Sequence, residues 1–97
     1  MPLYLHLGRF TEQGVKNLRE MPQAVRQAFA DAEKQGVKLH GYYVTEGQYD
    51  FAAIVETPDE QTGLRGLLGV VSEGNIRTET LRAHTLDEIE QITQTLG

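Results

Sequence analysis

From Pro2 to Phe10 the chain alternates, with Leu3, Leu5 and Leu7 on one face of an extended segment and Tyr4, His6, Gly8 and Phe10 on the other. This period of two predicts a first strand. Thr11 follows as an N-cap, and Val15 and Leu18 then stand on one side of a short helical turn. Pro22 would delete a hydrogen bond inside that helix, so it belongs in the first turn of a second helical piece running to about Gln35. In that piece Met21, Val25, Phe29 and Ala32 recur at helical spacing, and Gly36 occupies the left-handed position that ends it.

Val37 to Thr45 and Tyr49 to Glu56 are rich in aromatic and β-branched residues, which predicts two strands joined as a hairpin by Glu46, Gly47 and Gln48. Gly47 supplies the positive φ such a connection requires. Thr57, Pro58 and Glu60 read as N-cap, first helical position and capping-box glutamate of another helix, whose apolar stripe is Leu64, Leu67, Leu68 and Val71. Gly63, Gly66 and Gly69 lie in the same helix, so either a neighbour approaches that row closely or the helix is weak. Asn75 to His84 predicts a fourth strand. Thr85 and Glu88 form a further capping box ahead of a last helix, with Leu86, Ile89, Ile92 and Leu96 on one side.

The resulting order, β-α-β-β-α-β plus a terminal helix, predicts an α+β ferredoxin-like sandwich in one domain spanning 1–97, a four-stranded antiparallel sheet with its helices on one face. The other face of such a sheet alternates cleanly when it meets water. These strands do not, because Tyr42, Tyr43 and Val44 are consecutive and Phe51 to Val55 is apolar throughout. Both faces are therefore expected to be covered at least in part, and a second subunit on the open face is the economical cover.

Composition supports that expectation. A chain of 97 residues with no cysteine has a small core and no disulfide to compensate, so self-association is the natural source of further burial. The net charge of −5 argues against nucleic acid or an anionic membrane as a partner. The absence of cysteine and of a long apolar run leads us to expect a cytoplasmic protein.

Three groups of residues are candidates for chemistry. Arg77 and Glu79 share one face of the fourth strand, where they form either an ordinary ion pair, an intersubunit pair, or an anion-anchoring arginine beside a carboxylate base. Tyr49 and Asp50 at the hairpin serve either turn geometry or as the polar tips of a pocket. His6, His40 and His84 lie on three different strands without ligand spacing, so no metal site is expected. No phosphate loop, nucleophile elbow or other cofactor motif is expected either, since the glycine row lacks the lysine and the strand-to-helix position that a phosphate loop needs.

The segments Leu7-Gly8-Arg9-Phe10-Thr11, Gly47-Gln48-Tyr49-Asp50 and Gly74-Asn75-Ile76-Arg77-Thr78-Glu79-Thr80 resemble the GYD-domain family of short bacterial proteins, and the likeness extends over nearly the whole chain. The resemblance implies a ferredoxin-like domain similar to dimeric α+β barrel proteins, and it marks Lys16, Tyr49, Asp50, Arg77, Thr78 and Glu79 as a ligand-binding set. Two functional classes follow. The leading one is a non-catalytic homo-oligomer that binds a small ligand or serves a regulatory partner. The alternative is a cofactor-free monooxygenase or isomerase using Asp50 or Glu79 as base in an apolar cavity of at least ~300 Å³. A third class, trimeric signalling proteins resembling PII, shares the core but needs a longer hairpin loop than three residues.

Overall fold

The computed structural model describes residues 1–97, and its elements run β1 (Leu3–Phe10), α1 (Glu12–Lys16), α2 (Met21–Glu33), β2 (Lys38–Val44), β3 (Phe51–Glu56), α3 (Glu60–Ser72), β4 (Ile76–Ala83) and α4 (Leu86–Thr93). The four strands form one antiparallel sheet in the order β2-β3-β1-β4. The predicted α+β ferredoxin-like fold is thus observed.

Period two sorts the strands into two faces. On one face Tyr4, His6, Gly8 and Phe10 of β1 stand beside Phe51, Ala53 and Val55 of β3, and the helices cover them. Phe51 stacks against Tyr42 at 5.3 Å between ring centroids and tilts against Phe10 at 5.8 Å, while Phe29 of α2 meets Tyr42 edge-on. Phe51, Ala53 and Val55 are only 2–5% exposed. Gly8 is obligatory here, because a Cβ at this position would lie 2.0 Å from the Phe51 ring. The other face carries Leu3, Leu5 and Leu7 with Ala52, Ile54, Tyr43 and Leu81 in neighbouring strands, and no helix covers it. Ile54, flanked in sequence by two of the most buried residues of the chain, is 37% exposed.

Caps fix the helix starts. Thr11 accepts from the Gly14 amide, and Thr85 and Glu88 complete the predicted capping box. The start of α3 differs from expectation: its N-cap is Asp59, whose carboxylate accepts from the Thr62 N–H at 2.7 Å. That bond holds the Asp59 carboxyl below its ordinary value. Thr57 is instead buried, its N–H donating to Pro2 O and its hydroxyl to Asp59 O.

The glycine row divides as well. Gly63 lies against Thr57, whose methyl would come within 3.0 Å of an added Cβ, whereas Gly66 and Gly69 face open space. The helix is turned so that Gly63, Leu67 and Val71 point inward, leaving Leu64 and Leu68 exposed, which corrects the expectation that all four apolar residues face the core. All of α4 is exposed, Leu86 to 85%. A chain of this length packs to a radius of gyration of about 12.5 Å; the observed 14.9 Å reflects a molecule whose last helix lies outside the packed body. No helix is long and apolar enough to cross a membrane.

Candidate functional site

The polar candidates collect at one end of the sheet, where β1 leaves for α1 and the β2–β3 connection turns. That connection spans six residues, Thr45 to Asp50, rather than the expected three, so Tyr49 and Asp50 precede β3 instead of beginning it. Thr45 closes the loop, its N–H donating to Asp50 O at 2.8 Å and its hydroxyl to Tyr49 O at 2.6 Å. Gly47 adopts φ +112°, as a turn glycine should.

Asp50 is held from both sides: its N–H donates to Gly8 O at 2.7 Å, and its carboxylate accepts from the Phe10 N–H at 2.9 Å. It satisfies backbone at the end of β1. Tyr49 points across the open face, where its hydroxyl donates to Glu79 Oε2 at 2.5 Å and the Arg9 guanidinium lies 5.1 Å from its ring centroid. Because Glu79 accepts that proton in a hydrogen bond, the phenol is held above its ordinary value. Arg9 also donates from Nε to Gln48 O at 2.8 Å, tying the loop to β1.

Glu79 does not pair with Arg77, so the expected i, i+2 ion pair is replaced by the tyrosine contact. The register sets Arg77 directly opposite Arg9 and Glu79 opposite Leu7, all on the open face. Thr78 pairs with Gly8 and so lies on the helix-covered face. Arg77 instead joins Lys16 in a polar cleft of about 480 Å³ between α1 and the turn entering β4, which Thr11, Glu12, Gln13 and Gly74 complete. The six residues marked by the resemblance therefore occupy four places: a tyrosine–glutamate contact on the open face, a backbone clamp at Asp50, a cleft lined by Lys16 and Arg77, and, for Thr78, the helix-covered face.

Asn75 organises the turn beside that cleft. Its carbonyl accepts from the Thr11 N–H at 3.0 Å, and its side-chain oxygen accepts from Gln13 Nε2 and Asn17 Nδ2. Gly14 sits so close that an added Cβ would lie 2.1 Å from Asn75 O. Sequence reasoning did not single out Arg9, Gln13 or Asn75 as functional; their partners are 39 to 64 residues away, and no local pattern signals them.

The histidines remain apart. His6 approaches Thr80 Oγ1 at 2.9 Å in a pocket of about 210 Å³ beneath α3, and its burial holds the imidazole below its ordinary value. His40 meets Glu56 and His84 meets Glu88, both near the surface.

Comparison with known proteins places these features in context. The GYD domain family matches over residues 4–93. A protein of Thermus thermophilus named as a glutamine synthetase and cystathionine beta-lyase binding protein is 32% identical over 84 residues, covering 86% of this chain and 88% of the relative. No solved structure matches the chain significantly.

Proposed function

We infer that this chain, which belongs to the GYD domain family, is a cytoplasmic binding or regulatory protein that self-associates through the open face of its sheet and engages other molecules by surface contact. The observation that carries this reading is the row of half-buried Leu3, Leu5 and Leu7 with exposed Ile54, Leu81 and Tyr43 on a face that no helix covers, in a domain with just six buried residues. A contiguous apolar surface of that kind on a small domain is the mark of an interface.

The relative is named for binding two enzymes, which favours an enzyme as the regulated partner here. The acidic chain, with no basic excess, fits a protein partner better than nucleic acid. The enzymatic alternative draws less support. It needs Asp50 or Glu79 as a base inside a cavity, whereas Asp50 is bound to the Phe10 amide and Glu79 to the Tyr49 hydroxyl, and neither lines the Lys16–Arg77 cleft or the pocket beneath α3.

The test pairs sedimentation of the wild type and an Ile54→Glu variant with binding to purified glutamine synthetase from the same organism. The reading expects a wild-type oligomer, a folded Ile54→Glu monomer, and saturable enzyme binding by the wild type. A monomeric wild type that leaves the enzyme unbound would overturn it.

A further inference from the structure

We propose that the cleft between α1 and the turn entering β4 binds a small oxyanion, a phosphate or carboxylate group, held by Arg77 and Lys16. The proposal deepens the binding reading above by naming the chemistry of its small ligand.

Three observations converge on it. First, Arg77 and Lys16 line one cleft, and both guanidinium and ammonium are free of ion pairs there, as is every lysine and arginine of the chain except Lys34. The one carboxylate in the lining, Glu12, lies more than 4.0 Å from both cationic groups. Second, Arg77 stands directly opposite Arg9 across the β1–β4 pair. Like charges in that position destabilise a sheet. Arg9 is engaged with Gln48 O and the Tyr49 ring, so of these two facing guanidiniums Arg77 is the one without a partner. A bound anion would relieve the repulsion and match the planar fork of the arginine.

Third, the wall of the cleft is already built. Thr11 donates its hydroxyl to Gly74 O at 2.6 Å, Gln13 donates to Glu73 O at 2.9 Å and to Asn75 Oδ1 at 3.0 Å, and Gly14 sits against Asn75 O. These bonds fix α1 against the β4 turn, so little ordering remains to be done when a ligand arrives. The lining carries no hydrophobic side chain, which suits a hydrated anion and not an apolar ligand.

The test is a titration with inorganic phosphate and, separately, with glutarate at low ionic strength, followed through the amide resonances of Gly14, Gly74 and Asn75. The two arms distinguish a phosphoryl from a carboxylate source. At least one should give saturable movement. Arg77→Gln should weaken that binding roughly tenfold, as loss of a charge-assisted contact does, and Lys16→Gln should weaken it as well. Arg19→Gln, which removes a cation outside the cleft, should leave it unchanged. Relief of the Arg9–Arg77 repulsion means that the anion-free Arg77→Gln variant should melt no lower than wild type. Absence of saturable movement with both probes, or equal weakening by Arg19→Gln, would overturn the assignment. Arg77 and Lys16 meet within a single chain, so the monomeric Ile54→Glu variant should still bind the anion. The titration thus reads the cleft, and sedimentation reads the sheet face.

Discussion

Within the single strand β3, Phe51, Ala53 and Val55 are almost wholly buried, while the alternate residues Ala52, Ile54 and Glu56 are only partly covered. The strand is apolar on both sides, yet the chain supplies helices for one side alone. On the covered face Phe51 packs against Phe10 and Tyr42, and its ring closes over Gly8, where it leaves no room for a methyl group. On the open face a row of leucines ends at Arg9, Arg77 and the Tyr49–Glu79 contact. The covered face therefore holds the fold together, and the open face is the surface left for the proposed self-association.

Phe51→Ala should separate these roles most sharply. Removing a buried ring at the centre of the covered face should cost about 3–5 kcal/mol, a large share of the roughly 5–15 kcal/mol available to a native domain, as read from urea unfolding. A loss as small as that of an exposed residue would break the distinction between faces. Gly8→Ala should follow at about 1–3 kcal/mol, because its methyl would meet the Phe51 ring.

Gly66→Ala and Gly69→Ala should move stability the other way, each gaining about 1 kcal/mol, since both added methyls enter open space on a helix. A loss in the oligomer but not in the monomeric Ile54→Glu variant would show that a partner approaches that helix.

The smallest effect is the pH response of the covered face. Burial holds the His6 imidazole below its ordinary value, so below about pH 6.5 the unfolded chain takes up a proton that the folded chain resists. Stability from this group is full above that point and declines as pH falls toward the lowered folded value. His6→Gln should flatten this part of the slope when urea midpoints are compared on either side of about pH 6.5; an unchanged slope would place His6 in water.

The fold was legible in the sequence because its signals are local. Alternation in β1, the proline opening α2, Gly36 at φ +86° and the Thr85–Glu88 box each act over a few residues. Long-range partners decided the rest. Thr57 and Asp59 can both cap a helix, and burial of Thr57 against Pro2 and Gly63 left Asp59 to do it. Tyr49 and Asp50 look like strand residues, but the Phe10 amide and Glu79 hold them in the connection. The candidate set was readable as residue types and not as an arrangement, because the β1–β4 register alone puts Arg77 against Arg9 and turns Thr78 to the opposite face.

Sedimentation equilibrium of the wild-type chain at micromolar concentration, beside Ile54→Glu, tests most directly whether a second copy covers the open face. The account predicts a wild-type mass at least twice the 10.9 kDa of one chain and a folded variant at the single-chain mass. A wild-type monomer, or a variant that stays oligomeric, would contradict it.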